Sequence, residues 1–181
     1  MKVEKIVTKH LCLRQCTIED ITPGYINALN DPEVIGLTEA RHRKWDENSV
    51  RHYVEESNMQ GVSQLIGIFL KESSRHIGNI RLFNFSEVHK HAELGIMIWD
   101  KTQWSKGYGA ESLNAVCDYA FNILNLHKIY ADYYSVNAAS ARLFDKAGFK
   151  IEGVFKDHFL LNGKYIDSVR IAKFSYQEGN I

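Results

Sequence analysis

The chain has 181 residues, with 22 Lys and Arg against 22 Asp and Glu, for a formal net charge of zero at pH 7. That length suits one domain, residues 1–181, and 45% hydrophobic with 24% charged residues rules out a fibre or a disordered chain. The balance argues against a general nucleic-acid binder, which carries a basic excess, and no run approaches the ~20 apolar residues of a membrane span.

Met1 to Lys5 lead into no apolar run, so no signal peptide is expected and a reducing, cytoplasmic setting is the default. Cys12, Cys16 and Cys117 cannot all pair. The Cys12/Cys16 spacing lacks the second ligand pair of a zinc site, so these read as buried or half-buried thiols and no metal is expected.

Leu11 to Arg14 is a short extended run. Thr22 before Pro23 reads as an N-cap with proline in the first turn of a helix that carries Tyr25, Ile26 and Leu29 and stops near Asn30-Asp31-Pro32. A second helix starts at Asp46, with Val50, Tyr53 and Val54 on one face. The period then changes. Gln64–Leu70, Ile77–Phe85 and Ala92–Trp99 are short, β-rich runs separated by polar turns, and predict an antiparallel meander. Ala110, Leu113, Val116, Cys117, Ala120, Phe121 and Leu124 recur at helical spacing. Lys128–Tyr134 reads as a strand, and Ser140–Ala147 as a helix closed by Gly148. Two last strands, Gly153–Leu161 and Asp167–Ser175, flank a turn at Asn162-Gly163. The order β-α-α-β-β-β-α-β-α-β-β implies an α/β (α+β) domain with one mixed sheet.

The segment Gln103 to Ala110 lies between a strand and a long helix, with glycines at 107 and 109. Such a turn leaves backbone N–H groups uncovered at the positive end of a helix, which suits a phosphate. It is not a P-loop, because no Gly-Lys-Ser/Thr follows, and it fits a dinucleotide fingerprint poorly. A plain strand-to-helix turn is the bland alternative.

Lys106-Gly107-Tyr108-Gly109-Ala110-Glu111 resembles the pyrophosphate turn of the GNAT superfamily of acyl-CoA-dependent N-acetyltransferases. The resemblance continues through residues 121–129, residues 137–149 and Glu152-Gly153, and the opening, with Leu11–Arg14 and Asn30–Val34, is similar to the RimJ/RimL branch. It implies a GNAT fold: a mostly antiparallel sheet whose middle strands splay, flanked by about four helices. It also implies acetyl transfer from acetyl-CoA to the primary amine of a small molecule or peptide.

On that resemblance, the backbone of Ile96, Met97 and Ile98 holds the pantetheine arm. Trp104, Ser105, Lys106, Gly107, Tyr108, Gly109 and Ala110 form the phosphate turn, Asn137 contacts the pantetheine, and Ser140 and Lys146 lie near the adenosine end. Trp104 stands where Gln or Arg often opens the turn.

An ammonium with a pKa near ~10 must lose a proton before its nitrogen can attack. Glu93, at the start of the central strand, is the candidate base, and a solvated strand-end carboxylate is its alternative. The leaving thiolate benefits from an acid. Phe144 stands where many relatives carry tyrosine, so Tyr134, Ser135 or Tyr165 are candidates, or no dedicated acid exists. His91 and Tyr165 are candidates for the acceptor pocket. Arg41, His42, Arg43 and Lys44 beside Trp45 suggest a solvated loop or a site for an acidic acceptor.

A polyamine would want carboxylates there instead. The expected acceptor is a protein N-terminal amine, with an amino sugar nucleotide or other small amine as the alternative. A non-catalytic acyl-CoA-binding module is the rival class, and a C2 homodimer is compatible with the sequence without being fixed by it.

Overall fold

The computed structural model describes residues 5–59 and 61–175. The period-two segments form one eight-stranded sheet: β1 (Ile6–Val7), β2 (Leu11–Gln15), β3 (Ser63–Leu70), β4 (His76–Ser86), β5 (His91–Ile98), β6 (Lys128–Tyr134), β7 (Lys150–Leu161) and β8 (Lys164–Phe174). Their spatial order is β1-β2-β3-β4-β5-β6-β8-β7, antiparallel throughout except at β5/β6. Among the described residues five α-helices flank it: α1 (Pro23–Ala28), α2 (Pro32–Ile35), α3 (Glu47–Glu56), α4 (Tyr108–Asn122) and α5 (Ala138–Lys146). This is the GNAT arrangement.

Local chemistry sets the boundaries. The Thr22 hydroxyl accepts from the Tyr25 N–H at 3.2 Å, and Pro23 opens α1. Asp46 caps α3 through the Ser49 N–H at 2.8 Å. Asn162 and Gly163 both take positive φ, 50° and 78°, as a tight hairpin between β7 and β8 requires.

The structure departs from the sequence reading at short elements. Asp31 caps a four-residue helix, α2, where the chain was expected only to stop, and the two-residue β1 adds an edge strand. The final strands begin three residues earlier than expected, at Lys150 and Lys164.

Alternation sorts the core onto two faces. Ile66 and Ile68 pack with Leu113, Val116 and Cys117 of α4 and Phe144 of α5. Leu65, next to Ile66 in sequence, packs instead with Tyr25, Trp45, Val50 and Val54 under α1–α3. Truncating a fully buried anchor such as Leu113 would cost about 2–5 kcal/mol. Cys117 is buried in the same layer, so its thiol is pushed up to about 12 and is no nucleophile.

Candidate active site

The site begins where the sheet comes apart. β5 and β6 pair in parallel only at His91–Lys128, Ala92–Ile129 and Glu93–Tyr130, while β5 stays paired with β4 as far as Ile98. The Trp99 N–H donates to the Ile77 carbonyl at 3.0 Å. Alternation along an antiparallel ladder then turns the N–H and C=O of Ile98 and Ile96 away from β4, into the gap. An extended chain entering the gap would find an unpaired strand edge.

At the far end of β5 the chain turns through Trp104–Ala110. Gly107 is the N-cap of α4 with φ 87°, in the left-handed region, and no side chain caps the helix. The first-turn N–H groups are therefore left for an external anion. Gly109 is tightly packed: a Cβ there would lie 3.0 Å from Leu143 Cδ1 of α5, which would have to give by a few tenths of an ångström. The Trp104 indole donates to the Ile98 carbonyl at 2.7 Å, so this side chain braces the end of β5 rather than addressing a phosphate. Lys106 Nζ is tied to Gln103 Oε1 at 3.0 Å. Glu111, in the first turn, faces away and accepts from Thr8 Oγ1 at 2.6 Å and the His10 N–H at 2.8 Å. Burial pushes its carboxyl up, but these hydrogen bonds outweigh it and hold it below the ordinary value.

Between the sheet and α1–α3 lies a cleft of about 520 Å³ that reaches into the β5/β6 gap. Glu93 lies along it just where the strands part, its Oε2 accepting from Asn84 Nδ2 at 2.8 Å. Ile96, Met97, Asn137 and Ser140 line the cofactor half, and Asn137 also caps α5 through the Ser140 N–H at 3.0 Å.

The acceptor half is roofed by residues 37–40 and Arg43. Two ties hold this roof to the C-terminal part of the chain: the Tyr134 hydroxyl donates to Glu39, and Arg41 Nη2 donates to the Leu160 carbonyl at 2.8 Å. Burial, and then the Glu39 carboxylate, push the Tyr134 phenol up to about 12.

The basic run does not act as a unit. Of residues 41–44 only Arg43 lines the cleft, because successive side chains leave the loop in different directions. Arg41 lies over the Tyr134 ring and His42 lies 3.8 Å from Glu39, while Lys44 is exposed. Glu39, Glu56, Glu93 and Asp132 line the cleft with Arg43 and Arg81, so its charge is mixed rather than basic.

Other sequence candidates stand apart from the cleft. Ser135 is exposed and its N–H donates to the Asp167 carbonyl. Tyr165 is 67% exposed on the C-terminal hairpin. His91 sits on the closed side of Glu93, its ring against Tyr130, and Lys146 is exposed at the end of α5. Tyr134 lines the cleft, but its proton is committed to Glu39.

Tyr133, absent from the sequence-level candidates, lines the cleft beside Phe144, with ring centroids 6.4 Å apart and planes inclined by 16°. Strand alternation was the available signal, since it turns Tyr133 toward α5 and Tyr134 the other way.

An acetyltransferase (GNAT) domain model matches residues 10–150. The chain is 37% identical over 95 residues to a spermidine N(1)-acetyltransferase of Vibrio cholerae, covering 52% of this chain and 54% of that protein. It thus spans about half the length of such relatives. A [ribosomal protein uS5]-alanine N-acetyltransferase of Escherichia coli is 34% identical over 123 residues, 66% of this chain and 61% of that protein. Among solved structures, spermidine N-acetyltransferase from Vibrio cholerae in complex with CoA and spermine superposes with a TM-score of 0.81 at 24% identity, over 92% of this chain and 96% of that one. With the split sheet, the glycine turn and a family model over most of its length, this chain belongs to the GNAT acetyltransferase family.

Proposed function

We propose that the protein is an acetyl-CoA-dependent N-acetyltransferase acting on a small primary amine. The observation that carries this reading is the position of Glu93, on the cleft wall at the point where β5 and β6 part. Acetyl-CoA fits the other half. The outward N–H and C=O of Ile96 and the N–H of Ile98 offer hydrogen bonds to its pantetheine arm, and the turn at Gly107 offers N–H groups to its pyrophosphate. Bound there, it supplies an acetyl group activated as a thioester.

The residues of this chain supply the rest. Glu93 accepts a proton from the acceptor ammonium and so frees the nitrogen lone pair. Backbone donors facing the gap favour negative charge developing on the acyl oxygen. Tyr133, beside Phe144, holds a hydroxyl proton for the departing sulfur. This assignment gives the missing acid at position 144 to the neighbouring strand.

The roof formed by residues 37–40 and its ties favour a small acceptor over a protein surface, and about 520 Å³ is the size of a small-molecule pocket. The relative that acetylates a ribosomal protein supports a second reading, in which an N-terminal peptide enters the cleft. A CoA-release assay across polyamines, amino acids, amino sugars and N-terminal peptides separates the two. Turnover of peptides alone would sink the small-amine reading. Acetyl-CoA binding without release on any amine would favour a non-catalytic module.

A further inference from the structure

We propose that Arg81 binds a carboxylate carried by the acceptor, making the acceptor an amino acid or a similar zwitterionic amine. This rests on the acetyltransferase reading above.

Arg81 pairs across the β4/β5 ladder with Gly95, and Phe83 pairs with Glu93. Residues opposed in an antiparallel pair share a face, and so do residues two apart along a strand. Arg81, Phe83, Gly95 and Glu93 therefore form one floor, and all four line the cleft. The absent side chain of Gly95 keeps that floor open between the cation and the base: a Cβ there would meet only Phe83 Cε1, at 3.9 Å.

The Arg81 guanidinium lies against the rings of Tyr53 and Phe83, 5.7 and 5.2 Å from their centroids. Arg81 hydrogen-bonds the Tyr53 side chain and, through Nη2, Ser63 Oγ at 3.3 Å, while its Nε is buried without a partner. Arg14, Arg75 and Arg170 each hold an aspartate, whereas Arg81 makes no ion pair among the described residues. Glu56 lines the same cleft but pairs with His52 at 3.1 Å.

A half-buried cation between aromatic walls is expensive to leave without an anion. A guanidinium fork matches a carboxylate in shape. Glu93 on the same floor disfavours a doubly charged phosphate there. The acceptor amine then faces Glu93 while its carboxylate meets Arg81.

The test pairs α-, β- and γ-amino acids with their primary amides, and adds 1,3-diaminopropane as a cationic control. Binding to CoA-saturated protein is read by calorimetry, and turnover by CoA release from acetyl-CoA. At least one acid should bind tenfold or more tightly than its amide, and be favoured as strongly in kcat/KM. Arg81→Gln should bring that ratio to about one, mainly through KM, and Arg81→Lys should restore part of it.

Acids that bind selectively but release no CoA would break the acetyltransferase reading and leave the Arg81 subsite standing. Amides or the diamine used as well as the acids, or an acid-to-amide ratio unchanged in Arg81→Gln, would overturn the subsite while acetyl transfer survives. No binding and no turnover of any acid would also overturn it.

Discussion

At the Trp104–Ala110 turn the groups offered to a ligand are main-chain N–H donors, and side chains serve mainly as braces, as Trp104 does for Ile98. In the acceptor half of the cleft the relation is reversed, and the polar groups that line it include the side chains of Glu93, Tyr133, Arg81 and Glu39. Backbone recognition constrains which residues can occupy a position, because glycine alone takes φ 87° cheaply. Side-chain recognition leaves no such local signature. One end of the site is therefore fixed by geometry and the other is free to change its ligand.

The comparison can be broken experimentally, starting from the side-chain end. Glu93→Gln should lower kcat about 100-fold with acetyl-CoA binding unchanged, measured by CoA release and by calorimetry. A variant that turns over normally would remove the base.

At the backbone end, Gly107→Val should weaken acetyl-CoA binding by about tenfold or more. A β-branched residue at φ 87° costs on the order of 1–3 kcal/mol, and its methyls cover the first-turn N–H groups. No protein atom lies within 4 Å of the Cβ position, so the fold should survive, which circular dichroism would check.

Tyr133→Phe should cut kcat roughly tenfold. Tyr134→Phe, which loosens the roof, should act mainly on KM of the acceptor. Equal effects of the two would erase the distinction drawn between the faces of β6.

The smallest effect concerns Glu111, whose carboxyl is held below its ordinary value by Thr8 and His10. A depressed carboxyl stabilises the fold above its unfolded-state pKa. That contribution is lost as pH falls through the folded-state value, here below about 4.5. Thermal melts should show Glu111→Gln less stable than wild type at pH 7, by about 1 kcal/mol or less for a single half-buried carboxylate, with the gap closing toward pH 3.

How far the sequence could be read follows the same division. The helical period from Ala110 to Leu124, the hairpin at Asn162-Gly163 and the glycine turn are local patterns, and the structure has elements at each of them. β1 and α2, two and four residues long, are too short to show a period. The acceptor half was less legible, because nearness in sequence does not carry nearness in space. Arg41 to Lys44 disperse, whereas Glu39, Arg81, Glu93 and Tyr133 converge from separate elements.

The tie from Arg41 to the Leu160 carbonyl joins positions 119 residues apart. A matched stretch of 95 residues cannot contain both ends of it. The acceptor chamber thus draws on distant parts of the chain, from Tyr25 to Leu160. Homology over half the length can transmit the cofactor chemistry while remaining silent about what is acetylated.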